Sequence, residues 1–107
     1  MSKPFYITTT LPYVNADPHI GFAMELVQAD VLARFSRLEG REVFFNTGTD
    51  EHGQKISDAA KNAGESEQDY VDRYADKVNK LKNVLNLSTD TFVRTTDKHH
   101  IKAAQKL

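Results

Sequence analysis

The chain is predicted to be an α/β domain built on an open parallel sheet, with elements in the order β-α-β-α-α-β-α. Three observations predict this. Short runs of aromatic and β-branched residues alternate with long stretches of helical periodicity. The first two such runs flank a helical stretch and close a βαβ unit within about 45 residues, which calls for a parallel pair and a right-handed crossover. The 107 residues are 39% hydrophobic and 27% charged, which is ordinary globular composition rather than disorder.

Residues 5–10, Phe-Tyr-Ile-Thr-Thr-Thr, read as the first strand. Two prolines with Asn15 and Asp17 make residues 11–18 a loop, and Pro18 suits the first turn of the helix that follows. Ile20, Met24, Val27, Val31, Phe35 and Leu38 recur in steps of three and four, which predicts one buried stripe on a long amphipathic helix. Arg34 and Arg37 favour the negative end of that helix, and Gly40 can take the positive φ that ends it. Val43-Phe44-Phe45 reads as a buried strand and residues 47–53 as a polar loop. Ile56, Ala59, Ala60 and Ala63 indicate a helix stopped by Gly64, and Ser66 with Asp69 resembles a capping box. Tyr70, Tyr74, Val78, Leu81 and Leu85 mark a packing stripe on the next helix, whose Lys77, Lys80 and Lys82 are expected to form a solvated surface. Residues 91–95 read as a third strand, and a last helical pattern begins near Asp97. Three short parallel strands would leave faces and edges uncovered, so residues 1–107 are expected to be the first part of a larger domain.

The net charge of −1, from 14 Lys+Arg against 15 Asp+Glu, argues against a dedicated polybasic grip on nucleic acid. The absence of cysteine rules out a disulfide scaffold and a thiolate zinc site within these residues and fits a cytoplasmic protein. No apolar run is long enough to span a bilayer, and Met1 to Tyr6 lead straight into a strand without a signal-peptide core.

Two loops concentrate the chemistry. The first, from Thr10 to Phe22, joins a strand to a helix N-terminus, where unpaired N–H groups and the positive pole of the dipole attract phosphate. His19 could donate to a phosphate oxygen, and Gly21 would let a base or phosphate approach the backbone. The plainer alternative is a helix start with a packing glycine. The second loop, Thr47-Gly-Thr-Asp-Glu-His-Gly53, should lie at the same sheet edge. Its Asp50 could pair with a ligand ammonium or simply cap the next helix. No metal site is expected from His52, His99 and His100, because the adjacent pair diverges by about 100° on a helix.

The segments Tyr6-Ile-Thr-Thr-Thr-Leu-Pro-Tyr-Val-Asn-Ala-Asp-Pro-His-Ile-Gly-Phe22, Gln28-Ala-Asp-Val-Leu-Ala-Arg34 and Val43-Phe-Phe-Asn-Thr-Gly-Thr-Asp-Glu-His-Gly-Gln-Lys-Ile56 together resemble the amino-terminal part of the methionyl-tRNA synthetases. The resemblance implies the first half of a Rossmann-like class I catalytic domain. It implies a methionine–tRNA ligase that uses ATP with Mg²⁺ to form methionyl-adenylate and then esterifies tRNA. Pro12, Tyr13, Val14, Asn15, Ala16, Asp17, Pro18, His19, Ile20, Gly21 and Phe22 match the first signature segment. By the same resemblance His19 is the catalytic residue, and Pro12, His19, Gly21, Phe22 and Glu25 bind ATP, while Leu11, Tyr13 and Asp50 bind methionine. Phe22 departs from the family pattern, which commonly has a second histidine there. The Lys-Met-Ser-Lys-Ser loop, the zinc-bearing inserted domain and the anticodon-binding helices of the family are not found in these residues. The 107 residues alone are therefore expected to be inactive. Two other readings stay open: a different nucleotidyltransferase with a phosphate site at a helix end, and a non-catalytic interaction domain that keeps the fold.

Overall fold

A computed structural model describes residues 3–107. The elements are β1 (Phe5–Thr8), α1 (Ile20–Leu38), β2 (Val43–Thr49), α2 (Gln54–Ala63), α3 (Glu67–Asn79), α4 (Leu81–Val84), β3 (Thr91–Arg94) and α5 (Lys98–Lys106). The strands form one parallel sheet in the order β1-β2-β3, with Ile7 opposite Phe45 and Thr47 opposite Phe92. The expected open α/β sheet is present, with one extra helical turn, α4, where a single helix through Leu85 was anticipated.

Most stop signals act as their chemistry dictates. Gly64 closes α2 in the left-handed conformation at φ 70°, and Gly40 follows α1 at φ 79°. Ser66 Oγ accepts the Asp69 N–H at 3.1 Å and starts α3. Pro18 is not in the first turn of α1; it precedes His19, which is the N-cap. Strand β2 runs four residues further than its apolar core, through Thr49, so much of the anticipated loop at 47–53 is strand. The reason is pairing on both sides: Thr47 and Thr49 are buried, and Gly48 sits so close to β3 that an added Cβ would lie 1.8 Å from the Val93 carbonyl oxygen.

The apolar stripe anticipated on α1 is not buried. Ile20 is 87% exposed, Val31 59%, Phe35 58% and Leu38 87%. The helix buries a neighbouring face made of Phe22, Leu26, Ala29, Asp30, Ala33 and Ser36. Small residues win because the helix must lie close to the sheet: Ala29 and Ala33 pack on Phe45, with Ile7 and Val43 at the margin. Phe22 and Leu26 form a second cluster with Val78 and Leu87, and Val14 joins Ile56, Ala60, Tyr70, Val71 and Ala75 in a third. On the outer side of the sheet Tyr6 stacks on Phe44 at 5.8 Å, and both are exposed.

The anticipated lysine surface is more structured than free solvation. Lys77 Nζ donates to Asp17 at 2.6 Å, Lys82 Nζ to the Thr89 carbonyl at 2.9 Å, and Lys80 pairs with Asp76 within its own helix. No helix among the described residues is long and apolar enough to cross a membrane.

Candidate active site

Both loops leave the carboxyl ends of adjacent parallel strands, which is where open α/β sheets place ligands. They are joined directly. Tyr13 and Asp50 form an isolated parallel bridge, in which the Asp50 N–H donates to the Pro12 carbonyl at 2.9 Å. Behind the first loop stands α3, whose Tyr70 hydroxyl donates to the Asn15 carbonyl at 3.0 Å while Lys77 holds Asp17. Burial of the Tyr70 ring, with Tyr74 beside it, raises the pKa of its hydroxyl and keeps that donor protonated.

The entry to α1 is organised by His19. Its Nδ1 accepts the Gly21 N–H at 3.0 Å, an unusual use of histidine as an N-cap. The Phe22 and Ala23 N–H groups both reach the His19 carbonyl, at 3.1 and 3.2 Å. The helix start therefore offers fewer unpaired N–H groups than anticipated. What it offers is an imidazole with a fixed tautomer: an accepting Nδ1 leaves the proton of the neutral ring on Nε2. Gly21 leaves room for this ring position, since a Cβ there would lie 2.9 Å from His19 Cε1 and the ring would have to shift. A cleft of about 240 Å³ runs past Pro12, Tyr13, Asn15, Pro18, His19 and Phe22. Phe22 is at once a wall of this cleft and a buried member of the core, so it contributes shape and no hydrogen bond. Glu25, one turn on, accepts the Thr10 N–H at 2.8 Å and fixes the exit of β1 against α1.

Tyr13, 58% exposed, also borders a second hollow of about 220 Å³ with His52, Gly53 and Ile56. Leu11 and Pro12, which precede it in the chain, are half-buried. Asp50 is half-buried and does not cap α2; that position belongs to Gly53, with no side-chain cap. The Asp50 carboxylate takes no hydrogen bond among the described residues and is free for a ligand cation. A wide, shallow depression of about 490 Å³ lies beyond this loop between His52, Thr95 and α5, with His52 the residue it has in common with the second hollow. His100 lines that groove, and no group of three metal-binding side chains occurs among the described residues.

Beside Asp50 lies a charged cluster that sequence reading passed over. The Glu51 side chain is wholly buried and accepts from Thr49 Oγ1 at 2.6 Å, Arg94 Nε at 2.8 Å, Arg94 Nη2 at 2.6 Å and Thr96 Oγ1 at 3.0 Å. Arg94 also pairs with Asp72 on α3. The bonds to Glu51, helped by Asp72, raise the guanidinium pKa despite its burial, and Arg94 in turn holds the Asp72 carboxyl below its ordinary range. The available signal was a pair of opposite charges at neighbouring strand ends, Glu51 two residues past β2 and Arg94 last in β3.

Residues 5–107 match the family described as tRNA synthetases class I (M). The chain is 50% identical over 106 residues to the methionine–tRNA ligase of Rhizobium meliloti, covering 99% of this chain and 20% of that protein. It is 49% identical over 102 residues to the methionine–tRNA ligase of Thermotoga maritima, covering 95% of this chain and 16% of that protein. Mycobacterium tuberculosis methionyl-tRNA synthetase in complex with methionyl-adenylate superposes with a TM-score of 0.96 at 44% identity, over 98% of this chain and 21% of that one. The chain thus spans about a fifth, or less, of the length of the relatives it matches.

Proposed function

Because the chain belongs to the tRNA synthetases class I (M), we propose that it forms the amino-terminal portion of the catalytic domain of a methionine–tRNA ligase. In the complete protein, methionine and ATP with Mg²⁺ give methionyl-adenylate and pyrophosphate, and the methionyl group then passes to tRNA. The methionine carboxylate oxygen attacks the α-phosphorus as the bond to pyrophosphate breaks, so the protein must align the reactants and stabilise charge on the phosphate oxygens. The Asp50 N–H bond to the Pro12 carbonyl, 2.9 Å, carries this assignment, because it fixes an unpaired acid beside the loop that delivers His19.

The roles divide by chemistry. His19, with its proton on Nε2, donates to phosphate at the positive end of α1, and Gly21 makes room for that ring. Pro12 and Phe22 wall the ATP side of the cleft, and Glu25 serves ATP binding by holding the Thr10 N–H at the exit of β1. Asp50 binds the methionine ammonium by a charge-assisted hydrogen bond, while Leu11 and Tyr13 give apolar and aromatic contact to the thioether. The cytoplasm, where tRNA is charged, is the location that goes with this role.

Methionine-dependent ATP–pyrophosphate exchange by a complete ligase carrying these residues tests the assignment. Asp50→Asn should raise the methionine KM by about 10- to 100-fold, the worth of one charged hydrogen bond. His19→Ala should lower kcat by about 10²- to 10³-fold, as removal of a transition-state donor does. Exchange that ignores both substitutions would refute these roles. The 107-residue chain by itself should show no exchange above background.

A further inference from the structure

The roles proposed above leave the Glu51–Arg94 pair without a task. It is not on the surface: the Glu51 side chain is 0% exposed and that of Arg94 26%. Each carboxylate oxygen of Glu51 accepts two hydrogen bonds, so its charge is fully accommodated. Joining β2 to β3 does not require a charge, since apolar residues of similar volume commonly do as well in a buried position. What the pair does is tie the residue next to Asp50 to the last residue of β3, where backbone bonds join the same two segments. The Glu51 N–H donates to Thr95 Oγ1 at 2.8 Å, the Thr95 N–H donates to the Thr49 carbonyl at 3.2 Å, and the Asp50 N–H is taken by Pro12. The residues on either side of Asp50 are thus clamped to the end of β3, and Arg94 is itself braced by Asp72 on α3 and by its own N–H on Asp97.

We propose that Arg94 is a positioning residue for Asp50, acting through the buried Glu51 carboxylate, and that it thereby sets affinity for the amino acid rather than for ATP. The proposal rests on the assignment of Asp50 to the methionine ammonium. Arg94 touches no substrate in this scheme. Its fork engages both Glu51 oxygens and fixes the plane of that carboxylate, which a lysine cannot do. A carboxylate displaced by about 1 Å binds an ammonium much less well, whereas the His19 ring is set at the start of α1 by the Gly21 N–H on its Nδ1, a contact that involves neither Glu51 nor Arg94.

The test uses Arg94→Lys, Arg94→Met and the milder Thr95→Val in a complete ligase carrying these residues, with pyrophosphate exchange and peptide-level hydrogen exchange over residues 45–55. Arg94→Met should raise the methionine KM by roughly 10- to 100-fold, leave the ATP KM within about twofold, and speed amide exchange around Asp50. Arg94→Lys should fall between it and the parent. Thr95→Val, which breaks the Glu51 N–H bond and leaves the buried ion pair intact, gauges the backbone clamp alone, and Arg94→Lys, which keeps a cation against Glu51 without the fork, keeps the proposal testable if Arg94→Met does not fold. Equal rises in both KM values, or an unchanged methionine KM with unchanged amide exchange, would overturn the positioning role. Absence of methionine-dependent exchange in the parent enzyme would instead overturn the functional assignment, and the amide exchange would still decide whether Arg94 holds the Asp50 backbone.

Discussion

Asp30 shows how one polar residue can sit on the buried face of a helix. Its Oδ1 accepts the Ser88 N–H at 2.7 Å and Ser88 Oγ at 2.6 Å, and its Oδ2 accepts Arg34 Nε at 2.7 Å. Burial by itself pushes the Asp30 pKa up, but the Ser88 and Arg34 bonds pull it further down, so the folded value lies below the ordinary 3.8. The sign follows from linkage. A folded pKa below the unfolded one stabilises the fold above the unfolded value, and that contribution is lost as pH falls through the folded value. Asp30→Asn loses one of its acceptors and should cost about 1–3 kcal/mol at neutral pH. The denaturation midpoint of the variant should also fall less steeply than the parent's below about pH 4. Parallel acid profiles for variant and parent would contradict the role given to Asp30.

At the scale of elements, β2 is where sheet and site meet. It is flanked on both sides, and its last three residues, Thr47, Gly48 and Thr49, are buried. Thr9 and Thr47 share a hydroxyl hydrogen bond of 2.7 Å across the β1–β2 pair, and Thr49 supports Glu51. Gly48 answers to a close approach rather than to an unusual φ, since a methyl there would meet backbone, Val93 oxygen at 1.8 Å, which cannot rotate away. Gly48→Ala should therefore fall in the exceptional class that costs more than about 4 kcal/mol, read from the urea midpoint or, if the chain no longer folds, from loss of native far-ultraviolet dichroism. A midpoint within about 1 kcal/mol of the parent would show that β3 yields more easily than its pairing implies.

For the whole molecule, the uncovered surfaces matter most. The exposed face of α1 carries Ile20, Met24, Val27, Val31, Leu32, Phe35 and Leu38, the outer sheet face carries Tyr6 and Phe44, and β1 is an edge strand. Exposed contiguous apolar surface and unpaired strand edges both promote association. The 107-residue chain should sediment with a weight-average mass that rises with concentration, and Val31→Glu with Phe35→Glu should reduce that rise without lowering the thermal midpoint. A concentration-independent monomer would show that these faces do not associate.

Local chemistry along the chain fixed the order of elements apart from the short α4, the parallel sheet, the helix stops at Gly64 and Gly40, the Ser66 cap and the two loops at one sheet edge. These follow from local signals: residue propensity, caps, and the rule that parallel neighbours end on the same side. The candidate site was legible as far as its loops and the residues His19, Gly21 and Asp50, because short polar segments between strand and helix stand out. The tertiary structure alone decided which face of α1 is buried. Periodicity finds an apolar stripe but cannot say what it meets, and here closeness to Phe45 selects Ala29 and Ala33 over the larger Val31 and Phe35. It alone decided that the Gly21 N–H goes to the His19 ring, and it alone joined Glu51 to Arg94, 43 residues apart. Those contacts depend on where distant strand ends and side chains arrive in space, which no local pattern encodes.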